Sequence, residues 1–574
     1  MQPFKVVLCG LNSRYVHTAL APRCLASAVR ETLPSSLVSC SMVEGTVNEP
    51  AEAVLSRIRE ATPDLLGLSC YVWNIREMLS LANAYKMEHP QTTVVLGGPE
   101  VSYCPAELLR AHSFVDCILS GEGEETLPLL IRAYLGEISF REVPALSYRA
   151  PDGRLVVGKP YVGLSDPISP YAHTDLSCLS GRIAYIEASR GCPYRCTFCL
   201  SGHSGGVRYF DAERVKADVL HLAENGVRVI KFVDRTFNAN RAYAHSLWRW
   251  IGEEYGRGLP IGTRLHFEIA GERLDEESFA ILSALPVGAV QLEVGLQSFH
   301  PPTLRAIHRN PNTDRLEENV RRLIALGTVH VHVDLIAGLP EEDLPTFIRG
   351  FDRAYTLGAH MLQLGFLKLL PGAPMTGEGT DRYDCRYSSD PPYEVIETSA
   401  ITADELNQLR LCEDVLERIS NSGRFRRTLA YLISERGLSP YSLFLGFAKY
   451  RKEHQIPTAL DPYTNAFARY AAELPGVDRN TLLDRMVMDR LATNSSGVIP
   501  AGMRKYDKRL KYIRSALNAA PETRETPGVR RTLASLWGED TVVWVDYQDP
   551  HPITGEYSVV SLPIGRLLPD EKEK

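Results

Sequence analysis

Over residues 1–136, short apolar runs alternate with stretches whose apolar positions recur every three to four residues. The runs at 5–9, 37–43, 65–69, 93–96 and 117–119 read as strands, and the amphipathic stretches at 20–32, 51–61, 75–88 and 124–134 read as helices. This alternation predicts an α/β unit, a doubly wound Rossmann-like parallel sheet with helices on both faces. Ligands of such sheets bind beyond the carboxyl ends of the strands. The loops there hold Asn12, His17, Ser69, Tyr71, Gly97, Gly98, Gly121 and Glu122, small or polar residues suited to a close-fitting ligand edge.

Residues 137–180 are poorly periodic and carry Pro144, Pro151, Pro160, Pro167 and Pro170, which predicts a linker with a small hairpin at Asp152-Gly153. From Ile183 the pattern becomes strand, loop, helix, repeated. Strands are expected at 183–188, 229–233, 266–270, 289–294, 329–336 and 361–367, with helices near 212–224, 242–254, 276–285, 316–326 and 344–357. Six such units over 181–376 predict a partial (β/α)6 barrel of the TIM type, open on one side, with its chemistry at the carboxyl ends of the strands. The remainder, 377–574, shows helical patterns at 403–419 and 426–435 and strand-like runs at 540–547 and 558–562, and reads as a further, mostly helical domain.

The chemistry concentrates in one stretch. Directly after the first barrel strand comes Arg190-Gly191-Cys192-Pro193-Tyr194-Arg195-Cys196-Thr197-Phe198-Cys199, with three thiols at C-x-x-x-C-x-x-C spacing. Three thiolates can hold a [4Fe–4S] cluster and leave one iron open. The competing reading is a structural Cys3His zinc site with His203 as fourth ligand. Structural zinc sites usually draw their ligands as two separated pairs, whereas here all four would crowd into residues 192–203. A barrel enzyme places its active site where this loop lies, which favours the iron–sulfur reading.

Composition narrows the setting. With 574 residues the chain exceeds one core, and 44% hydrophobic with 23% charged residues describes an ordinary globular protein. The formal net charge of −7 offers no field for nucleic acid or anionic lipid. A basic segment at 504–511 reads as a solvated helix face. No apolar run reaches the ~18–20 residues of a membrane span. The chain enters a strand at once without a secretory h-region, and its twelve cysteines form no disulfide framework, so a cytoplasmic, reducing compartment is expected. A short charged tail, Glu571-Lys572-Glu573-Lys574, ends the sequence.

Several separate motifs then agree. Cys192, Cys196 and Cys199, with Phe198 before the third, resemble the cluster loop of the radical S-adenosylmethionine superfamily, in which that aromatic residue lies near the adenine. The segment 232–238, with Asp234 and Thr236, resembles the second-strand contact to the methionine amino group, although Arg235 replaces the second acid of the usual pair. Glu293-Val294-Gly295-Leu296-Gln297-Ser298 resembles the fourth-strand ribose segment. Arg309, twelve residues past Gln297, resembles the arginine that meets the methionine carboxylate. Asp334-Leu335-Ile336-Ala337-Gly338-Leu339-Pro340 resembles the fifth-strand segment beside the nucleoside, and 367–374 the closing strand. Gly97-Gly98-Pro99-Glu100 with Gly121-Glu122-Gly123-Glu124 resembles the cobalamin-binding domain found ahead of such barrels. The D-x-H-x-x-G motif is missing; His17 is a candidate lower cobalt ligand, set against an ordinary loop histidine. The third region resembles the C-terminal domain of unassigned function of one branch of these proteins.

The resemblance implies reductive cleavage of S-adenosylmethionine at a [4Fe–4S] cluster to a 5′-deoxyadenosyl radical. A small electron donor such as flavodoxin or ferredoxin would supply the electron. It further implies cobalamin-dependent methyl transfer to a carbon centre of a substrate that the residues do not specify, with no general acid or base readable. Two alternatives stand beside this: a cobalamin-linked radical enzyme of non-methylating outcome, such as rearrangement or oxidation, and a metal-stabilised binding protein without turnover. No second cysteine triad marks a methylthiotransferase, since Cys9, Cys24, Cys40 and Cys70 lie on separate elements.

Overall fold

The computed structural model of the protein describes residues 3–567 except 164, 165, 173, 204, 310 and 520–530; the charged tail at 571–574 lies outside the described residues. Strands β1 (Phe4–Asn12), β2 (Val38–Thr46), β3 (Leu65–Ser69), β4 (Thr93–Gly97) and β5 (Cys117–Leu119) form a parallel sheet in the order β2-β1-β3-β4-β5. Alternate side chains feed two cores, one on each face. Val7, Cys9, Leu66, Leu68, Val94 and Leu96 lie on one side, and Val6, Leu8, Leu65, Val95, Cys117 and Leu119 on the other. The strand order reverses between β1 and β3, which makes the loops after these two strands the crevice of a doubly wound sheet.

The stretch from 137 holds more structure than a bare connection. A hairpin of β6 (Leu146–Arg149) and β7 (Leu155–Val156) turns at Gly153 and adds antiparallel to β5, extending the sheet to seven strands.

The second sheet has six parallel strands: Ile183–Ile186, Val229–Phe232, Arg264–Ile269, Val290–Gln297, His330–Ala337 and Met361–Phe366, paired in chain order. Five of its helices start at side-chain caps that the sequence supplies: Asp211, Asn240, Asp275, Asn312 and Asp343 accept from the backbone N–H three residues on. First and last strands do not pair, so the barrel is open, and each free edge is covered from outside the barrel. On the first strand, Ile183 N–H donates to Val16 carbonyl (2.8 Å) and His17 forms a parallel bridge to Ile183. On the last strand, Asn421 Nδ2 donates to Leu362 carbonyl (2.8 Å) while Leu362 N–H donates to Asn421 Oδ1 (3.1 Å).

The C-terminal region is mostly helical. Besides Ala403–Val415 and the wider turns Leu416–Asn421 and Ala430–Glu435, it contains Pro440–Glu453, Leu460–Ala472 and Arg479–Thr493, which the periodicity did not predict. Pro440–Glu453 buries Leu443, Phe444, Leu445, Phe447 and Ala448, so its apolar residues encircle it instead of forming one stripe. A three-stranded antiparallel sheet, Arg531–Ser535, Thr541–Asp546 and Val559–Pro563, completes it. The basic segment at 504–511 corrects an expectation: only its last two residues enter a helix (Leu510–Ala519), and Arg509 pairs with Asp507 (2.8 Å) and Asp540 (2.6 Å) in the turn before it. Among the described residues no helix is long and apolar enough to cross a membrane.

Asn421 stands in for a neighbouring strand, and its loss strands two backbone groups. Asn421→Ala is expected to destabilise the protein by about 1–3 kcal/mol, read from the shift in a chemical denaturation curve.

Candidate active site

The cysteine loop leaves the first barrel strand through a clamped exit. Asp234, at the end of the second strand and 2% exposed, accepts from Ala188 N–H (3.0 Å) and Ser189 Oγ (2.5 Å). Ser189–Arg190 pairs antiparallel with Arg208–Tyr209, which closes the base of the loop. Gly191 there has φ 96°, and a Cβ would lie 1.9 Å from Gly206 carbonyl oxygen, so only glycine fits. Within the loop, Thr197 N–H donates to Ile307 carbonyl (3.1 Å) and Met375 N–H donates to Thr197 carbonyl (2.9 Å), tying it to the fourth and sixth strand exits. Cys192 Sγ lies 3.3 Å from Thr236 Oγ1. Burial pushes the Cys196 thiol up, and Arg309 beside it works in the opposite direction. The side chain of His203, the candidate zinc ligand, lies outside the described residues.

Arg190 joins this loop to the first domain. Its guanidinium meets Glu122 (2.9 Å), Glu124 (2.5 Å) and Glu187 (2.7 Å), and Arg208 adds a second cation on Glu122. Glu122 is therefore held by two arginines.

The inner face of strands three to five carries a layer of ionisable groups. His266 Nε2 lies 3.0 Å and His332 Nδ1 3.4 Å from Glu293 Oε2, while His332 Nε2 lies 3.0 Å from Asp334 Oδ1. Burial opposes charge on His332, but Asp334 and Glu293 carry it up to about 9. Burial raises Asp334 and lifts Glu268 to about 7. Gln297 sits at φ 67° on a bulge after Gly295, and Arg309 donates to Gly295 carbonyl (2.6 Å).

Around the loop lie buried polar atoms without a hydrogen-bond partner: Thr197 Oγ1, Gln297 Oε1 and Arg309 Nε. Buried polar groups are normally satisfied, so these atoms have hydrogen-bonding capacity to offer a polar ligand. The donors and acceptors suit S-adenosylmethionine, with a cationic arginine for its carboxylate and acceptors for its ribose hydroxyls. The three thiols suit a cluster. The structure thus brings Cys192, Cys196, Cys199, Thr236, Gln297, Arg309, Glu293 and Asp334 to one mouth. Phe198 packs against the barrel core from within the loop. Asp234 faces the strand exit.

The Rossmann edge faces the same mouth. Tyr71 stacks on Trp73 at 4.3 Å, and Tyr103 packs on Gly372, with Cys199 among the groups acting on its phenol. Glu100 accepts from Tyr393 of the C-terminal region. At Gly98 (φ 109°) a Cβ would lie 2.4 Å from Cys70 carbonyl oxygen, and at Gly121 (φ 87°) 2.2 Å from Tyr161 carbonyl oxygen. Gly97 and Ser69 end adjacent strands in register. Asn12 donates to Glu44 (2.7 Å) and His17 carbonyl (3.0 Å), and His17 Nδ1 meets Tyr185 hydroxyl (2.6 Å). His17 and Glu122 are thus engaged in joining the domains and Asn12 in bonds within the first, which leaves Nε2 of His17 uncommitted by these contacts.

Sequence reasoning passed over Arg190, His266, Glu268 and His332. The last three were detectable: in His330-Val331-His332-Val333-Asp334 and His266-Phe267-Glu268, polar residues alternate with core ones, and one strand face carries them all.

A Rossmann edge set over an open parallel barrel with a three-cysteine loop defines the class of radical S-adenosylmethionine proteins with a cobalamin-type domain. The chain carries matches to three families: the B12 binding domain at 8–131, the Radical SAM superfamily at 186–350, and a protein family of unknown function, DUF4080, at 381–529. Among curated proteins it is 31% identical to the cobalamin-dependent radical SAM methyltransferase TokK of Streptomyces tokunonensis, over 67% of this chain and 56% of that one. It is 30% identical to the 2-(S-pantetheinyl)-carbapenam-3-carboxylate methyltransferase of Streptantibioticus cattleyicolor, over 54% and 48%. The chain spans about half the length of these relatives. Solved structures share the fold: the cobalamin-dependent radical enzyme OxsB, with TM-score 0.60 and 16% identity over 84% of this chain and 78% of that one, and the methyltransferase TsrM of Kitasatospora setae, with TM-score 0.56 and 19% identity over 68% and 80%.

Arg190→Gln would leave Glu124 and Glu187 without their arginine beside Glu122, which Arg208 alone would then hold. Expected are a loss of about 1.5–3 kcal/mol in unfolding free energy and fewer irons retained per chain after anaerobic reconstitution, measured by denaturation and iron assay.

Proposed function

We propose that the protein is a cobalamin-dependent radical S-adenosylmethionine methyltransferase acting on a carbon centre. The observation that carries this reading is the set of unpartnered buried atoms of Thr197, Gln297 and Arg309 around three thiols at the first barrel strand's exit. The reading divides the chain into a cobalamin-binding domain (1–136), a connection (137–180), a radical barrel (181–376) and a C-terminal domain (377–574). When bound, a [4Fe–4S] cluster, S-adenosylmethionine and cobalamin supply low-potential electrons, hydrogen-atom abstraction and a transferable methyl group.

The residues do the rest. Cys192, Cys196 and Cys199 supply three thiolates, and Arg309 eases ionisation of the buried Cys196. Arg309 also offers a cation for the methionine carboxylate. Glu293, Gln297 and Asp334 accept from the ribose hydroxyls, and Phe198 supports the adenine from the loop. Asp234, held on Ala188 and Ser189, fixes the exit from which the loop departs. Gly97, Gly98 and Gly121 keep side chains off the Rossmann edge, and Tyr71 and Trp73 wall the space between that edge and the barrel. Closing this space excludes water from a reactive centre. All twelve cysteines are free, which suits the reducing cytoplasm in which a flavodoxin- or ferredoxin-like donor would act.

Anaerobically reconstituted protein is expected to hold about four irons per chain and to retain added corrin by its visible absorbance. With a reductant it should release 5′-deoxyadenosine, together with S-adenosylhomocysteine once a methyl acceptor is present. Cys196→Ala should lose iron and 5′-deoxyadenosine together. A protein that takes up only zinc would overturn the reading.

A further inference from the structure

We propose that His332 is a positioning residue whose imidazole, wedged between Glu293 and Asp334, holds the two carboxylates as one acceptor pair for the vicinal diol of a ribose. This rests on the reading of Glu293 and Asp334 as cofactor contacts given above, and it names what aligns them. Glu293 and His332 are register partners on adjacent parallel strands, and Asp334 follows on the same face. The His332 ring spans the pair, with Nδ1 3.4 Å from Glu293 Oε2 and Nε2 3.0 Å from Asp334 Oδ1. His266 reaches the same Glu293 oxygen from the opposite side at 3.0 Å. His332 is 7% exposed, so water cannot take over its role.

The electrostatics require such a wedge. Glu268, the register partner of Glu293, adds a third carboxyl to this layer, and His330 and His266 complete it, with Lys231 acting on Glu268 from the second strand. Three acids within one buried layer repel one another, and a cation between two of them both neutralises and aligns them. Against the burial that would raise it, hydrogen bonds from His266 and His332 hold the Glu293 carboxyl below its usual range. His332 keeps its proton up to a pH of about 9. The sign follows: the pair is held while His332 is charged, and it loosens as pH rises through about 9. At the acid end, the raised Asp334 gains a proton sooner than an ordinary aspartate, and the acceptor pair is lost from that side too.

The test is S-adenosylmethionine binding to the reconstituted full-length protein by equilibrium dialysis between pH 6 and 10, with iron content followed in parallel. Wild type should bind well at neutral pH and weaken above about pH 9. His332→Gln, with iron unchanged, should bind about tenfold more weakly at neutral pH and show no alkaline decline, the loss expected for one charge-assisted hydrogen bond. His332→Lys, which restores a cation, should recover affinity and move the decline to higher pH. If Glu293→Gln and Asp334→Asn leave affinity unchanged, the cofactor-contact reading itself fails. If these weaken binding while His332→Gln changes neither affinity nor pH profile, the positioning role fails. If His332→Gln does not fold, His332→Lys with wild-type affinity and an unmoved alkaline decline overturns it equally.

Discussion

The first barrel strand is held from three directions, and the rest of the architecture hangs on that. Its outer edge pairs with Val16 and His17 of the Rossmann loop, its exit is pinned by Asp234, and its continuation carries Arg190 into three glutamates. An open parallel barrel exposes a row of unpaired backbone groups at each margin, and each group buried without a partner costs about 1–3 kcal/mol. The chain resolves this by borrowing strand-like groups from its other two regions, Val16 on one side and Asn421 on the other. The bonds that cover the barrel edges also help to dock the regions on one another. The cysteine loop is fixed in space relative to the Rossmann edge because the strand it leaves belongs, in bonding terms, to both domains.

Much of this architecture was legible in the sequence where one face of an element is buried and the other is not. The strands Leu65–Ser69 and Cys117–Leu119 and the helices Leu20–Thr32, Ala51–Ala61, Ile75–Glu88 and Ala212–Glu224 lie where the apolar period places them. The helix Pro440–Glu453 escaped because it buries residues around its circumference, so no period of 3.6 stands out. The hairpin at Gly153 was readable as a turn, but its addition to β5 depends on a distant edge that no local pattern reveals.

The candidate site divides along the same physical line. Spacing brings out the three cysteines, and alternation within strands brings out the face on which Glu293, His332 and Asp334 stand. What spacing cannot show is which partner claims a polar side chain. Asn12, His17 and Glu122 are polar residues at a ligand edge by position, yet Glu44, Tyr185, Arg190 and Arg208 take them up, the last three from beyond residue 180. Asp234 likewise sits at a strand end, where an acid is expected to face a ligand, and is turned instead to Ala188 and Ser189.

The inner layer of His266, Glu268, Glu293, His332 and Asp334 needs its own explanation, because a barrel interior filled with branched apolar residues would be cheaper to fold. Isolated charges in such a place are untenable, and the structure pairs nearly all of them across neighbouring strands. Asp334 Oδ1 lies 3.0 Å from His332 Nε2, within ion-pair reach. A cation seated between two carboxylates offsets the burial that would neutralise them, and charged acceptors suit something that arrives with hydroxyl groups of its own.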